Sequence, residues 1–292
     1  MNIISRATDP KNKSLIEIHI AVLFFGLAGI FGKLINLPPL VIVFGRVLSA
    51  ACFLGIIMTI KQQSIKLESK KEYKYFVLLG MILAFHWVAF FKSIQLSTVA
   101  IGLLMFSTFP VFVTFLEPIF LKEKISIKNI IIAGITFSGV VVVMPDFQFQ
   151  NTMTQGALWG IMAGFSFAVL SVLNKKFVAK HNSMVISFYQ TSVATIVLLP
   201  FVLNIRPEFG MKNIALLIVL GVIFTGIAHT LFINGMKHVK AQTASIIASL
   251  EPVYGIIATA LLLKEIPNIR ELIGGTIILG TASYSTLTTK DE

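Results

Sequence analysis

Residues 241–265 read AQTASIIASLEPVYGIIATALLLKE. The stretch is apolar and long enough to cross a bilayer, which takes about 20 such residues. Glu251 nevertheless stands near its middle, with Pro252 beside it. A charge at that depth is costly unless it is neutralised, paired or wetted, so it marks a candidate functional site. Proline removes a rung from the helical ladder, and hydrocarbon offers no partner to the carbonyl set free. Such a break persists where neighbouring helices or a water-filled cavity supply one. The same pattern stands earlier, in residues 101–123, IGLLMFSTFPVFVTFLEPIFLKE. Pro110 and Pro252 are 142 positions apart, and so are Glu123 and Glu265. The chain is a repeat.

Composition places that repeat in a membrane. Hydrophobic residues make up 56% and charged residues 13%, with mean hydropathy +0.88. Soluble chains sit near about 45–50% apolar and 25% charged. At 292 residues there is room for about ten spans with short loops, and none for a separate soluble domain. The net charge of +11 would suit nucleic acid, but the basic residues fall between apolar runs. There they act as inside-loop charges against anionic headgroups, so the lipid bilayer is the expected partner and nucleic acid is not. A single cysteine, Cys52, excludes an internal disulfide. Arg6, Lys11 and Lys13 precede the first apolar run as in a signal peptide. That run continues from Ile18 to Ile35 without an Ala-x-Ala site, and is read as an uncleaved first span.

Ten spans are marked at about 15–35, 38–60, 74–94, 98–121, 127–145, 156–174, 183–203, 213–235, 241–263 and 270–288. With the N-terminus inside, the inner segments hold 17 lysines and arginines and the outer connections 6, Arg46 lying within a span. That bias puts both termini in the cytoplasm. The repeat extends beyond the opening pair. FGLAGIFGK (25–33) and FAVLSVLNK (167–175) keep the offset of 142, which matches Lys33 to Lys175. VFGRVLSAACFLGII (43–57) corresponds to SFYQTSVATIVLLPF (187–201) after a shift of two, and Ala133-Gly134…Gly139 recurs as Gly274-Gly275…Gly280 displaced by one. The layout is a cytoplasmic segment at 1–14, a first unit at 15–146 holding spans 1–5 and a second at 156–288 holding spans 6–10. Five is odd, so the second unit enters from the opposite side. The expected fold is an all-α integral membrane protein of ten transmembrane helices, built as two inverted five-helix repeats. Transporters are frequently built this way, with a site near the midplane between the repeats.

These residues resemble the drug/metabolite transporter superfamily, in particular its ten-helix EamA-type members. Gly26…Lys33, Phe167-Ala168…Lys175, Arg46, the mid-span Pro110 and Pro252, and the Lys122-Glu123 and Lys264-Glu265 exits carry the likeness, which covers nearly the whole chain. The resemblance implies an inner-membrane carrier of small metabolites, often outward. It also implies a cavity between spans 1, 3, 4, 6, 8 and 9, with spans 5 and 10 packed behind.

Among candidate site residues Glu251 comes first, as a proton acceptor, a counter-ion for a cationic substrate, or a group hydrogen-bonded to Ser245, Ser249 or a freed carbonyl. Its repeat partner is Phe109, so the halves differ there. Glu117, before Pro118, lies near the inner boundary within reach of water or Lys122. Arg46 could fork onto a carboxylate substrate, snorkel outward or pair with a carbonyl. Trp87 and His229 are 142 apart; one offers a cation–π face and the other a titratable ring, with interior packing as the alternative. His86 is read as packing. Gln190, Asn174, Asn234 and Gln242 suit either a cavity lining or helix-packing hydrogen bonds. Gly156, Gly160, Gly164 and Ala168 recur every four residues, for close helix approach or as a thin wall beside a passage.

No GxxxxGK[ST] loop, HExxH pair or cysteine–histidine set is present. No catalytic residue, metal site or cofactor is therefore expected. The reading is a secondary carrier of small amino acid- or amine-like metabolites, exporting by alternating access and coupled to protons at Glu251, as a monomer or homodimer. Its rivals are a membrane enzyme acting on lipid or isoprenoid, which would need clustered ionisable groups, and a passive channel.

Overall fold

The computed structural model describes residues 10–121, 127–143, 148–207 and 209–288. Every regular element among them is a helix. The first half comprises α1 (Pro10–Ala28), short α2 (Phe31–Leu34), α3 (Pro39–Ile60), α4 (Lys70–Leu96), α5 (Val99–Phe106), α6 (Phe109–Leu121) and α7 (Ile127–Val143). The second comprises α8 (Thr152–Val178), α9 (Ser183–Val202), α10 (Met211–Gly221), a π-helical stretch (Val222–Ile227), α11 (Ala228–Gly235), α12 (Ala241–Ala248), α13 (Glu251–Leu263) and α14 (Ile269–Thr288). Eight helices among the described residues are long and apolar enough to cross a membrane, and Ile130–Val143 is a shorter apolar one.

Side-chain caps set the helix starts. Ser69 and Glu72 form a reciprocal capping box on α4, while the Asn151 and Asn182 side chains accept from Met153 and Met184 at 2.9 Å each. These contacts satisfy backbone donors that the helix itself leaves over. The two broken spans stop alike. Ser107-Thr108 separates α5 from α6 and Ser249-Leu250 separates α12 from α13, each just before the proline that cannot join the ladder. Hydroxyls take over some of the carbonyls: Ser107 and Thr108 donate to Leu103 and Met105 at 2.8 Å, and Ser249 to Ser245 at 3.0 Å.

The packing exchanges partners between halves. Helix α1 lies on α11 and α13, and α8 on α4, α5 and α6; α3 packs on α9 and α10, and α7 on α14. Two glycines allow the closest crossing. A Cβ on Gly26 would lie 2.6 Å from the Glu251 carbonyl, and one on Gly255 would lie 2.9 Å from the Gly26 carbonyl. The Gly156–Gly160–Gly164 ridge is filled from outside by Ser97, Met105 and the Phe106 carbonyl, so it serves helix packing. Lys33 donates to the Ser97 carbonyl at 2.8 Å, and Lys175 to those of Met236 and Val239 at 2.7 and 2.9 Å. Ser97 and Val239 are themselves 142 apart, so both matched lysines complete the negative end of a helix. The main core runs through the centre, and a smaller cluster around Leu104, Met105, Val140 and Ile278 joins the back helices.

The surface is apolar where a soluble protein's is polar: Ile56 is 60% exposed, Phe137 63% and Leu261 76%. Arg46 and Glu251 are meanwhile among the buried residues. Apolar groups facing outward around a polar interior are what a hydrocarbon solvent selects.

Candidate functional site

Arg46 organises the central site. It lies on α3 where Gly221 ends α10, and a Cβ on Gly221 would lie 2.5 Å from the Arg46 carbonyl. That contact presses α3 onto the π-helical stretch, whose wider turn frees backbone and side-chain acceptors. Arg46 Nε donates to Thr225 Oγ1 at 2.9 Å and Nη2 to the Phe224 carbonyl at 3.4 Å. Thr225 passes its own proton to the Leu220 carbonyl at 2.8 Å, leaving its oxygen to accept from Arg46. The guanidinium carbon stands 4.2 Å from the Trp87 ring centroid and 5.3 Å from that of Phe91, a cation on aromatic faces. With 2% exposure, Arg46 does not snorkel outward. Its Nη1 edge has no hydrogen-bond partner among the described residues.

Trp87 meets His229 edge to face at 5.6 Å between centroids. His229 is anchored from behind. Its Nε2 lies 2.8 Å from Gln190 Oε1, and Gln190 Nε2 donates to Asn174 Oδ1 at 2.6 Å. Because the Gln190 amide nitrogen is committed to Asn174, its oxygen faces His229 and takes the Nε2 proton. On the other side His86 Nδ1 lies 2.9 Å from the Ala163 carbonyl.

Glu251 closes the site as the first residue of α13, 4% exposed. A helix N-terminus is a favourable place for a carboxylate. Among the described residues no hydrogen bond reaches this carboxylate, and the one ion pair within 4.0 Å joins His181 and Glu72 at 3.3 Å. Arg46 and Glu251 therefore face one pocket unbridged, each within the other's field. Phe25, Phe90, Phe106 and Phe167 complete the wall with Trp87, His86 and His229. The space open to a water-sized group among these side chains is about 20 Å³, little more than one water molecule.

Four of the expected site residues thus meet: Arg46, Trp87, His229 and Glu251. Gln190 stands behind His229 and does not line the pocket. Asn234 is elsewhere, donating to Glu17 at 2.7 Å and accepting from Ser183 at 3.3 Å. Its amide donates from one atom and accepts at the other, so it ties α11 to α1 and α9. Pro110 and Pro252 follow the helix breaks without lining the pocket. Glu265 accepts from Val99 N at 2.9 Å and so caps α5. Lys122 and Glu123 lie outside the described residues, as does the side chain of Gln242. Sequence reasoning put packing first for His86, which lines the pocket, and missed the π-helical stretch that holds Arg46. His86 stands next to Trp87 and so points about 100° away around the helix. Only its position opposite α8 brings it into the same pocket.

A pocket of this kind, a charged pair among aromatic walls inside a lipid-facing helical shell, belongs to membrane transport. The chain belongs to the EamA-like transporter family, whose pattern matches residues 12–144 and again 154–286. It is similar to an uncharacterized transporter, YxxF, of Bacillus subtilis, 27% identical over 92% of this chain and 88% of that one. It is also similar to the S-adenosylmethionine uptake transporter of Rickettsia conorii, 27% identical over 71% of this chain and 70% of that one. A solved crystal structure superposes with TM-score 0.70 at 18% identity, covering 94% of this chain and 96% of that one, which shows a shared fold. The protein is a multi-pass membrane transporter with a two-repeat layout, and not an enzyme.

Proposed function

We propose a secondary carrier that works by alternating access around the Arg46–Glu251 pocket. Ten membrane helices form two inverted five-helix units, residues 15–146 and 156–288, behind a cytoplasmic segment at 1–14. The exchanged packing supports the inversion, since α1 on α11 and α13 mirrors α8 on α4 and α6. Both termini face the cytoplasm of a plasma-membrane protein, on the 17-to-6 basic bias.

Substrate binds between Arg46, Trp87, His229 and Glu251, with Gln190 holding His229 in place and Asn234 joining helices toward the inner end. It is a small amino acid- or amine-like metabolite, exported by the physiological cycle and coupled to protons through Glu251. The observation that carries this reading is a carboxylate and a guanidinium, both buried, facing one pocket without bridging. Such groups stay in a membrane interior for a ligand, ion or proton.

Counterflow in proteoliposomes tests the proposal. Vesicles loaded with one unlabelled metabolite class are diluted into a trace of the labelled compound. A carrier accumulates label transiently against its gradient, whereas a channel only equilibrates. Equilibration alone with every amine and amino acid tried would overturn the carrier reading.

A further inference from the structure

The offset of 142 that relates Trp87 to His229 also relates Lys92 to Asn234 and Glu17 to Trp159. Both resulting couples meet in space. Lys92 Nζ stands 4.2 Å from the centre of the Trp159 ring, which joins α4 to α8. Asn234 Nδ2 donates to Glu17 Oε2 at 2.7 Å, which joins α11 to α1. The crossings beside them match as well. Ser93 Oγ donates to the Gly156 carbonyl at 2.6 Å. At the equivalent place Gly235 faces the Ser14 carbonyl, which would lie 2.7 Å from a Cβ there. One contact is therefore made twice with different chemistry, and both versions join a helix of one half to a helix of the other.

The two contacts flank the pocket. Lys92 lies beyond the pocket residue His86 toward the C-terminus of α4, and Glu17 lies beyond Phe25 toward the N-terminus of α1. In the orientation proposed above, Lys92–Trp159 is at the outer end and Glu17–Asn234 at the inner end. All four side chains are half-buried, so water does not fully screen either contact. Both are made in this structure, and the pocket between them has room for little more than one water molecule. Helices packed across the halves must part at one end to admit a substrate and at the other to release it.

We infer that Lys92–Trp159 and Glu17–Asn234 are the outer and inner latches of the transport cycle, and that opening to either side breaks one and keeps the other. The inference rests on the alternating-access reading and names the contacts that alternate. The latches are unequal. A hydrogen bond to a carboxylate outweighs a cation on a partly exposed ring, and Asn234 also accepts from Ser183 of α9. The inner end is the harder one to open.

Labelling from each side of the membrane tests the latches. Cys52→Ala with Ala28→Cys leaves one thiol, in the pocket wall. An impermeant thiol reagent is applied to intact cells and to inverted membrane vesicles holding the full chain. The parent, latched at both ends, should react slowly from either side. Removing a latch shifts the population by that latch's own contribution. Asn234→Leu should raise the rate from the cytoplasmic side by about ten-fold or more, the order of a lost charge-assisted hydrogen bond. Lys92→Met should raise it from outside by about three-fold or more, as for a lost cation–π contact. Lys92→Arg keeps a cation over the ring and should restore slow labelling. Glu17→Ala and Trp159→Leu break the same latches from the other partner and serve if a first variant is not monodisperse. Faster labelling from the same side in both latch variants, equal gains from both sides, or no change in any variant would overturn the inference. Counterflow by a chain whose labelling no latch variant alters would leave the carrier reading standing and remove the latches alone.

Discussion

The indole of Trp87 and the imidazole of His229 meet at 5.6 Å and 64° between ring planes, although 142 positions separate them in the chain. Each is backed by the preceding span of its own half. Arg46 lies over Trp87 at 4.2 Å and Gln190 bonds His229 at 2.8 Å. Arg46 and Gln190 also align once the repeat offset is shifted by two. The centre of the molecule is therefore one arrangement written twice, with a cation and aromatic ring in one copy and an amide and imidazole in the other. Divergence at equivalent positions lets a pocket between similar halves present different chemistry at its two ends.

Loss of either ring should impair transport without dissolving the fold. Trp87→Ala removes the face beneath Arg46, and His229→Ala leaves the Gln190 oxygen bare, each destabilising by about 1–3 kcal/mol or more. Trp87→Phe keeps an aromatic face and should retain more transport than Trp87→Ala at equal amounts of folded protein. Transport per folded molecule, with thermal unfolding measured alongside, decides this. A loss of activity matched by an equal loss of folded protein in both alanine variants would assign the rings to packing alone.

The matched lysines give a stability prediction. Lys175 donates to several carbonyls, the nearest at 2.7 and 2.9 Å, whereas Lys33 donates to one at 2.8 Å. Replacement by methionine keeps the stem and deletes the donors. A charge-assisted hydrogen bond contributes about 1.5–3 kcal/mol, so Lys175→Met should lower the melting temperature more than Lys33→Met. The reverse order would show that these ties do not hold the helix ends.

The orientation is open to labelling from outside the cell. Gln150, Asn268, Ser69 and Asn182 are all exposed, so accessibility depends on the side of the membrane alone. With Cys52 replaced, single cysteines at Gln150 and Asn268 should react with an impermeant thiol reagent in intact cells. Cysteines at Ser69 and Asn182 should react only after lysis. Labelling of Ser69 in intact cells would invert the assignment.

Much of this was legible in the sequence because it rests on periodicity and repetition. A break before Pro110 and another before Pro252 follow from proline chemistry, and the offset that relates them also relates Lys33 to Lys175. Glu251 and Arg46 stood out because charge is costly in hydrocarbon. Illegible were features that depend on which helix lies opposite. His86 acquires meaning only when the Ala163 carbonyl arrives from α8. Asn234 looked like a pocket residue but found Glu17 and Ser183. The π-helical stretch has no sequence signature, since VIFTGI would continue an α-helix as readily.

The coupling role proposed for Glu251 has the sharpest test. The carboxylate begins α13, faces the pocket and accepts no hydrogen bond among the described residues, while Arg46 stands beyond ion-pair distance. A carboxylate tied to arginine would be locked in one protonation state. Held apart, it is open to water, a proton or a cationic group when the pocket opens. Glu251→Gln keeps the shape of the acid and its capacity to donate, but it can neither release a proton nor carry charge. The variant should fold with a melting temperature close to that of the parent. In proteoliposomes it should lose accumulation driven by an imposed pH gradient and still exchange substrate when no gradient is applied. Glu251→Asp, which keeps the titratable group one methylene further from the pocket, should restore part of the gradient response. If Glu251→Gln accumulates substrate under the gradient as the parent does, protons are not coupled at this residue. The buried carboxylate would then act only in substrate binding or in holding the break between α12 and α13.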